Sequence, residues 1–438
     1  MIKTAGLLIS FRLSSLKHCR QALCDTLGQV HIMTEGGTRL TGKSSSFAIY
    51  ILMFNMFITM SGIGLIIPIM PDYLGTFGVA GAALGSLIAV FSFAQFIFSP
   101  VSGSLSDRHG RKRIIIFGLL LYGVSQLAFG LSTELWMLFA ARFFSGIGSA
   151  FLIPPMMAFV ADITTYEERG RGMGLLGASM SLGFMIGPGI GGFLSKFGLQ
   201  FPFYFAAGAA IFAALLSMYI LPNPAPAAAA EGGPKQAGNL FQQITRSAKT
   251  PYFVVLLVMF VFSFGLANFQ STISLYVGIK YDYTPLMIAV IITVGGFVGV
   301  IIQTFVINRL FKRYGEMRVI LINLVVAALA MLGITFVSMF WSILLVATIF
   351  STATALLRPA VNTLVSKLAG DEQGYAAGMM NAYMSLGNMI GPALAGFVFD
   401  WKMTAPYFLG TAILLTCFAI ASTWAKRNAG VLADTRSS

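Results

Sequence analysis

Twelve apolar runs, each long enough to cross about 30 Å of hydrocarbon as a helix, recur near residues 47–70, 82–102, 114–131, 135–160, 172–194, 202–221, 252–276, 286–307, 319–337, 340–364, 375–398 and 405–424. With 57% hydrophobic and only 10% charged residues, the chain falls outside the ordinary soluble classes. Strand-like alternation does not dominate these runs, which sets aside a β-barrel. The expected fold class is an all-α membrane protein with 12 transmembrane helices.

A net charge of +13 would suggest nucleic acid in a soluble protein, but its placement argues otherwise. With the N-terminus inside, 23 of the 28 Lys and Arg fall on the cytoplasmic side, and only Lys196, Lys280 and Lys402 fall outside. Arg142 and Arg358 lie within spans. Such asymmetry follows the positive-inside rule, sets both termini in the cytoplasm and makes a bound polyanion unnecessary.

Cys19 and Cys24 stand in the leader and Cys417 in the last run, so no disulfide framework is implied. His18, Cys19, Cys24 and His31 fit no common metal spacing, and neither a metal nor a cofactor is expected. The stretch G-T-R-L-T-G-K-S, Gly37 to Ser44, matches a phosphate-loop pattern. That loop needs a preceding strand to aim its amides, and here no strand precedes it. No catalytic constellation is present, so the chain is not expected to be an enzyme.

Residues 1–46 form a basic cytoplasmic leader without a signal-peptide core, and Met33 offers an alternative start. The Ala/Pro/Gly-rich segment P-N-P-A-P-A-A-A-A-E-G-G-P from Pro222 cannot cross lipid as a regular helix and reads as a linker. It divides the chain into an N-terminal bundle at 47–222, a linker at 223–250, a C-terminal bundle at 251–425 and a tail at 426–438. The halves match at an offset of 204: M-S-L-G-F-M-I-G-P from Met180 answers M-S-L-G-N-M-I-G-P from Met384. Pro155, Glu168, Gly170 and Gly174 map onto Pro359, Glu372, Gly374 and Gly378, and Gly192 maps onto Gly396. Register held across two connections indicates duplication.

Three patterns carry chemistry. In the fifth run, Gly174, Gly183, Gly187, Pro188, Gly191 and Gly192 are spaced G-x8-G-x3-G-P-x2-G-G. Each Gly costs a helix about 1 kcal/mol against Ala, and lipid-embedded helices tolerate the string where a neighbour packs against bare backbone. Between the second and third runs stands G-S-L-S-D-R-H-G-R-K-R-I, Gly103 to Ile114. Gly103 and Gly110 permit a tight turn, Asp107 supplies an acceptor, and Arg108, Arg111 and Lys112 hold the loop inside. In the fourth run Arg142 sits within L-F-A-A-R-F-F-S-G-I-G-S-A. An arginine at that depth costs about 2.5–3.5 kcal/mol or more and should face a cavity or a partner.

With N-M-F-I-T-M-S-G-I-G-L-I-I-P-I-M-P-D-Y in the first run, S-F-G-L-A-N-F-Q in the seventh and L-L-R-P-A-V-N in the tenth, these patterns resemble the Nor- and Bmr-type multidrug efflux antiporters of the major facilitator superfamily, from about Phe47 to Trp424. The resemblance implies two six-helix bundles related by a repeat, with the substrate path between them. It also implies export of bulky amphiphiles in exchange for protons. Asp107 would latch against the cytoplasmic start of the eleventh span, a contact made in one state and broken in the other. Lys312 stands opposite Asp107 in the second half, so the latch would be one-sided. Arg142 would take part in proton coupling.

The chain departs from the family at its acids. Gln270 stands where the family has a glutamate, and Ala355 where it has an aspartate three residues before Arg358 and Pro359. Eleven of the 15 acids are cytoplasmic, and Asp72, Glu134, Asp282 and Asp400 lie at the external edge. A cavity holding Arg142 and Arg358 without a carboxylate would repel organic cations, which favours neutral or anionic amphiphiles. Proton exchange would use an edge acid such as Asp72 or Asp162, or the substrate's own proton, or else be absent. Asn268 and Phe269 beside Gln270, and Asn362 one turn past Arg358, complete the candidate cavity.

The expected function is a secondary active multidrug exporter working by alternating access. Export of an anionic or neutral metabolite or a sugar or lipid conjugate is the second reading, and a non-transporting sensor or scaffold the third. The expected partners are a small amphiphile, protons and the bilayer, without nucleic acid, for a monomer in the plasma membrane.

Overall fold

The computed structural model describes residues 43–164, 166–222, 245–369 and 373–428. The leader cysteines and histidines, Met33 and nearly all of the linker lie outside the described residues. Among the described residues, twelve helical segments are long and apolar enough to cross a membrane. In chain order the helices are α1 (Lys43–Leu65), α2 (Met70–Gly75), α3 (Gly81–His109), α4 (Arg111–Gly130), α5 (Leu135–Ala150), α6 (Ile153–Ile163), α7 (Tyr166–Leu194), α8 (Phe201–Ile220), α9 (Phe253–Tyr281), α10 (Pro285–Tyr314), α11 (Glu316–Gly333), α12 (Phe340–Ala369), α13 (Gln373–Trp401) and α14 (Ala405–Arg427). The protein is multi-pass.

Prolines decide where the helices depart from the apolar runs. The first run ends as a helix at Leu65, before Pro68, and α2 follows as a separate short helix with Pro71 in its first turn. The fourth run is two helices, interrupted at Phe151–Leu152 just ahead of Pro154 and Pro155. Two successive residues without N–H groups, with rings against the preceding carbonyls, end the hydrogen-bond ladder there. Single prolines such as Pro100, Pro188, Pro359 and Pro392 stay inside continuous helices, since one missing bond is tolerated where neighbouring helices support the backbone.

Within the first half α1 packs on α7 and α8, and α5 packs on α3 and α4. Within the second half α9 packs on α13 and α14, and α12 on α10 and α11. Two seams join the halves, α3 against α13 and α7 against α10. Away from the seams, among the described residues, α1, α5 and α6 make no extensive contact with the second half and α12 none with the first, which leaves a central space between the halves beside these helices and α9.

The seams are tight at one end only. Built Cβ atoms on Gly81, Gly192 and Gly396 would collide with backbone of the opposite half. Gly278 of α9 lies beside Pro71 of α2, where a built Cβ would stand 3.7 Å from the proline Cβ. These contacts lie where α3 and α10 begin and α7, α9 and α13 end. At the other end Gly103, Gly174, Gly177 and Gly378 would meet nothing within 4 Å. The cleft between the halves is therefore closed at the Asp400 end and open at the Gly110 end.

Candidate functional site: seams, arginines and loop

The glycine string is a backbone track. A Cβ on Gly183 would stand 2.5 Å from Phe57 O, one on Gly187 2.6 Å from Ser61 O, and one on Gly191 would collide with Leu65 O. Steps of four residues on α7 thus meet steps of four on α1, the close approach that small residues allow. Pro188 lies on the same contact: a Cβ on Gly64 would stand 3.0 Å from its Cδ. Gly192 points to the other half, against Pro285, Leu286 and Ala289 of α10. Gly174 takes no part. The second half repeats the arrangement, with Gly387 and Gly391 against Phe260 and Phe264 of α9, and Gly396 against Gly81 of α3.

The loop between α3 and α4 is a single residue, Gly110, at φ 91°. A side chain there would be strained, so glycine is required. Its N–H donates to Ser106 O at 3.1 Å. Arg111 is the clamp of this corner: it pairs with Asp107, donates from Nε to Asp162 Oδ2 at 3.0 Å, and donates to Ser106 Oγ at 2.6 Å. Arg108 is exposed and Lys112 half-buried. Asp107 is 61% exposed and, among the described residues, pairs only with Arg111. In this conformation it does not touch the described part of α13.

The second half keeps the clamp with its charges exchanged. Gly315, at φ 77°, joins α10 to α11, and the next residue, buried Glu316, pairs with Lys367 of α12 at 3.0 Å. Arg111 and Asp162 are matched by Glu316 and Lys367, each pair tying the start of one helix to the end of another. The sequence motif is degenerate here while the ion pair persists.

Of the cavity candidates, the structure groups some and separates others. Arg358 and Gln270 are half-buried on α12 and α9, both helices that bound the central space. Arg358 has no hydrogen bond or ion pair among the described residues, and Asn362, one turn nearer the open end, is exposed. Ala355 faces Gly299 of α10, where a built Cβ would lie 3.2 Å from its own. Asn268 is fully buried and donates to Pro406 O of α14 at 2.9 Å. Phe269 stacks on Phe350 at 4.1 Å. Both point into the second half-bundle rather than into the central space.

Arg142 is 6% exposed, with its guanidinium 4.7 Å from the Phe129 ring centroid and its Nε without a hydrogen-bond partner. The cation–π contact replaces a carboxylate in this buried position. Phe264 is buried beneath Gly387 and Gly391, whereas Phe93 and Phe144 are exposed. Asp162 is committed to Arg111. Asp72, on α2 beside α9, has its carboxyl raised above the usual carboxylate range by burial first and by the nearby Asp282 second.

Comparison with known proteins agrees with this architecture. The family model described as Major Facilitator Superfamily matches residues 52–373 and 304–437. Multidrug resistance protein 2 of Bacillus subtilis (strain 168) is 38% identical over 379 residues, 86% of this chain and 95% of that protein. Quinolone resistance protein NorA of Staphylococcus aureus (strain Mu50 / ATCC 700699) is 33% identical over 367 residues, covering 84% of this chain and 94% of its own. Among solved structures, a bacterial homolog to the human lysosomal transporter Spinster, in an inward-facing and occupied conformation, superposes with a TM-score of 0.73 at 15% identity. It covers 91% of this chain and 99% of its own. With two packed half-bundles, a glycine track in each and relatives of this likeness, the chain belongs to the major facilitator superfamily.

Proposed function

We propose that this protein is a secondary multidrug exporter that moves amphiphilic small molecules across the plasma membrane by alternating access, as a monomer and without bond chemistry. The observation that carries the reading is the pair of seams closed at one end and open at the other, in a chain 38% identical to a multidrug resistance protein over most of its length. The relatives' names do not favour a dedicated metabolite exporter. Because the loops at the open end hold most of the Lys and Arg, that end and both termini are cytoplasmic. The described conformation is then the one that admits substrate from inside the cell or the inner leaflet.

The charge of the central space sets the preferred substrates. Among the described residues Arg358 has no ion pair, Arg142 meets an aromatic face, and no carboxylate lies midway along the spans. Placing a cation beside unpaired positive charge costs several kcal/mol at an effective dielectric of about 20, so neutral and anionic amphiphiles are favoured over permanently charged cations. An anionic group would find in Arg358 a planar fork suited to two-point binding.

Proton exchange falls to Asp72. In the conformer closed at the external end its proton affinity is raised by burial and by Asp282, while Lys280 on α9 is turned to the Tyr276 hydroxyl at 2.6 Å. A carboxyl raised in one conformer stabilises that conformer as pH falls. A proton taken from outside therefore favours closing the outside and opening the inside, the direction antiport requires.

The test of the charge assignment is Gln270→Glu combined with Ala355→Asp. The new Asp would lie three residues from Arg358, within reach of an ion pair on the same helix face. Transport assays are expected to show neutral or anionic dyes preferred by the wild type and ethidium preferred by the double variant. Robust ethidium export by the wild type, unchanged in the variant, would contradict the assignment.

A further inference from the structure

Asp400 ends α13 at the closed rim, and none of the motifs gives it a part. Its two carboxylate oxygens accept hydrogen bonds from Gly81 N and Ala82 N, the first two backbone donors of α3, both at 2.9 Å. Those N–H groups have no carbonyl partner within their own helix, and the partial positive charge there favours an anion. The contact joins the two halves. A Cβ on Gly81 would stand 2.7 Å from Asp400 Oδ1 and 2.8 Å from Gly396 O, so glycine is what lets the carboxylate and both backbones meet.

The other seam supplies an internal comparison. Gly192 of α7 rests on Pro285, Leu286 and Ala289 of α10 as Gly396 of α13 rests on Gly81 and Gly85 of α3. Four residues past Gly396 comes Asp400; four residues past Gly192 comes Lys196. Where Gly81 donates, Pro285 has no N–H to give. Lys196 lies instead over the Phe193 ring, 5.8 Å from its centroid. The same backbone seam therefore closes without an acceptor and without a donor. The carboxylate is not needed to pack these helices, so its contact serves something else.

At its opposite end α3 carries Asp107, exposed in this conformation and, among the described residues, paired only with Arg111. The helix pair α3–α13 thus has an acid at each end, one on each helix, and among the described residues only the acid at the closed end touches the partner half. The pair α7–α10 carries Lys196 and Lys312 in the corresponding places.

We propose that Asp400 is the external latch of the transporter, a positioning residue that holds the cytoplasm-open state by binding the start of α3 and lets go when Asp107 engages the start of α13. The inference rests on the alternating-access reading above. Two rigid half-bundles rocking about the central space cannot close both ends together, so the two acids bind in turn. Seam α3–α13 sets the balance between the states, and seam α7–α10 follows it without a charged lock.

Spin labels on Ser104→Cys and Ala377→Cys report the width of the cleft. Both positions are exposed, at the open ends of α3 and α13. The labels are placed in a full-length chain whose three native cysteines are replaced, and distances are measured by pulsed electron resonance in lipid nanodiscs. The parent chain should give a dominant long distance and a minor short one. Asp400→Ala should raise the short-to-long ratio about tenfold or more, since it removes two charge-assisted bonds from one state only. Asp400→Asn keeps one neutral acceptor and should move the ratio part of the way, which keeps the test decisive if the Ala variant does not fold. Asp107→Asn should shift the ratio the opposite way, and Lys196→Ala should leave it in place. An unchanged ratio in the Asp400 variants overturns the latch while leaving alternating access standing. A single distance in every variant, unmoved by added substrate, removes alternating access and the latch with it.

Discussion

A methyl group at Gly187 asks how closely α7 must lie on α1. Its carbon would stand 2.6 Å from Ser61 O and 3.1 Å from both Leu65 N and Ser61 Cα. Contacts between carbon and a carbonyl oxygen are comfortable from about 3.3 Å, so the two backbones must part by about 0.7 Å. Gly183 and Gly191 hold the same pair of helices one turn on either side, which prevents a local adjustment. Overpacking of this kind costs about 1–3 kcal/mol, and the better helix propensity of Ala returns about 1 kcal/mol. Gly187→Ala is thus expected to lower stability by up to about 2 kcal/mol, and Gly187→Leu by more, with transport lost or the membrane made leaky to ions. Gly174→Ala is the control on the same helix: nothing lies within 4 Å, so only the propensity gain remains and the variant should be slightly stabilised. Thermal unfolding in detergent, run beside vesicle transport, measures both. Wild-type melting and export in Gly187→Leu would refute the close-approach argument, as would equal shifts in the two Ala variants.

Asp107→Asn is expected to abolish export while expression and insertion stay normal, because Asp107 is exposed and touches no core residue; wild-type export in that variant would remove the cytoplasmic latch. Arg358→Lys keeps the charge but loses the planar fork, so export should be impaired, and Arg358→Ala should be inactive. Full export by Arg358→Ala would return this arginine to a packing role.

The fold was legible because a bilayer leaves few options: length and hydropathy alone mark the twelve spans. Local breaks were less legible, since whether a proline ends a helix depends on its neighbours. Pro154–Pro155 does so and Pro188 does not. The spacing of Gly183, Gly187 and Gly191 announces one packing face, but no local signal names α1 as the partner, or excludes Gly174. The candidate cavity residues point apart for a geometric reason. Asn268, Phe269 and Gln270 are consecutive, and a helix turns about 100° per residue, so all three cannot face one space. Gln270 stays half-exposed while Asn268 and Phe269 are buried among α12 and α14. The exchanged ion pairs Arg111–Asp162 and Glu316–Lys367 join residues 51 positions apart, and reversed signs hide their equivalence from any motif. Asp400 was visible only as an edge acid; its role depends on which helix begins beside it.

The most direct measurement is dye uptake into everted membrane vesicles, using neutral, anionic and cationic amphiphiles with and without a proton gradient. An exporter of this architecture should accumulate neutral or anionic dyes inside vesicles with an acidic lumen, lose that accumulation when a protonophore is added, and lose it in Asp107→Asn. Failure of the wild type to accumulate any of the dyes, with the protein shown to be folded and inserted, would contradict the account.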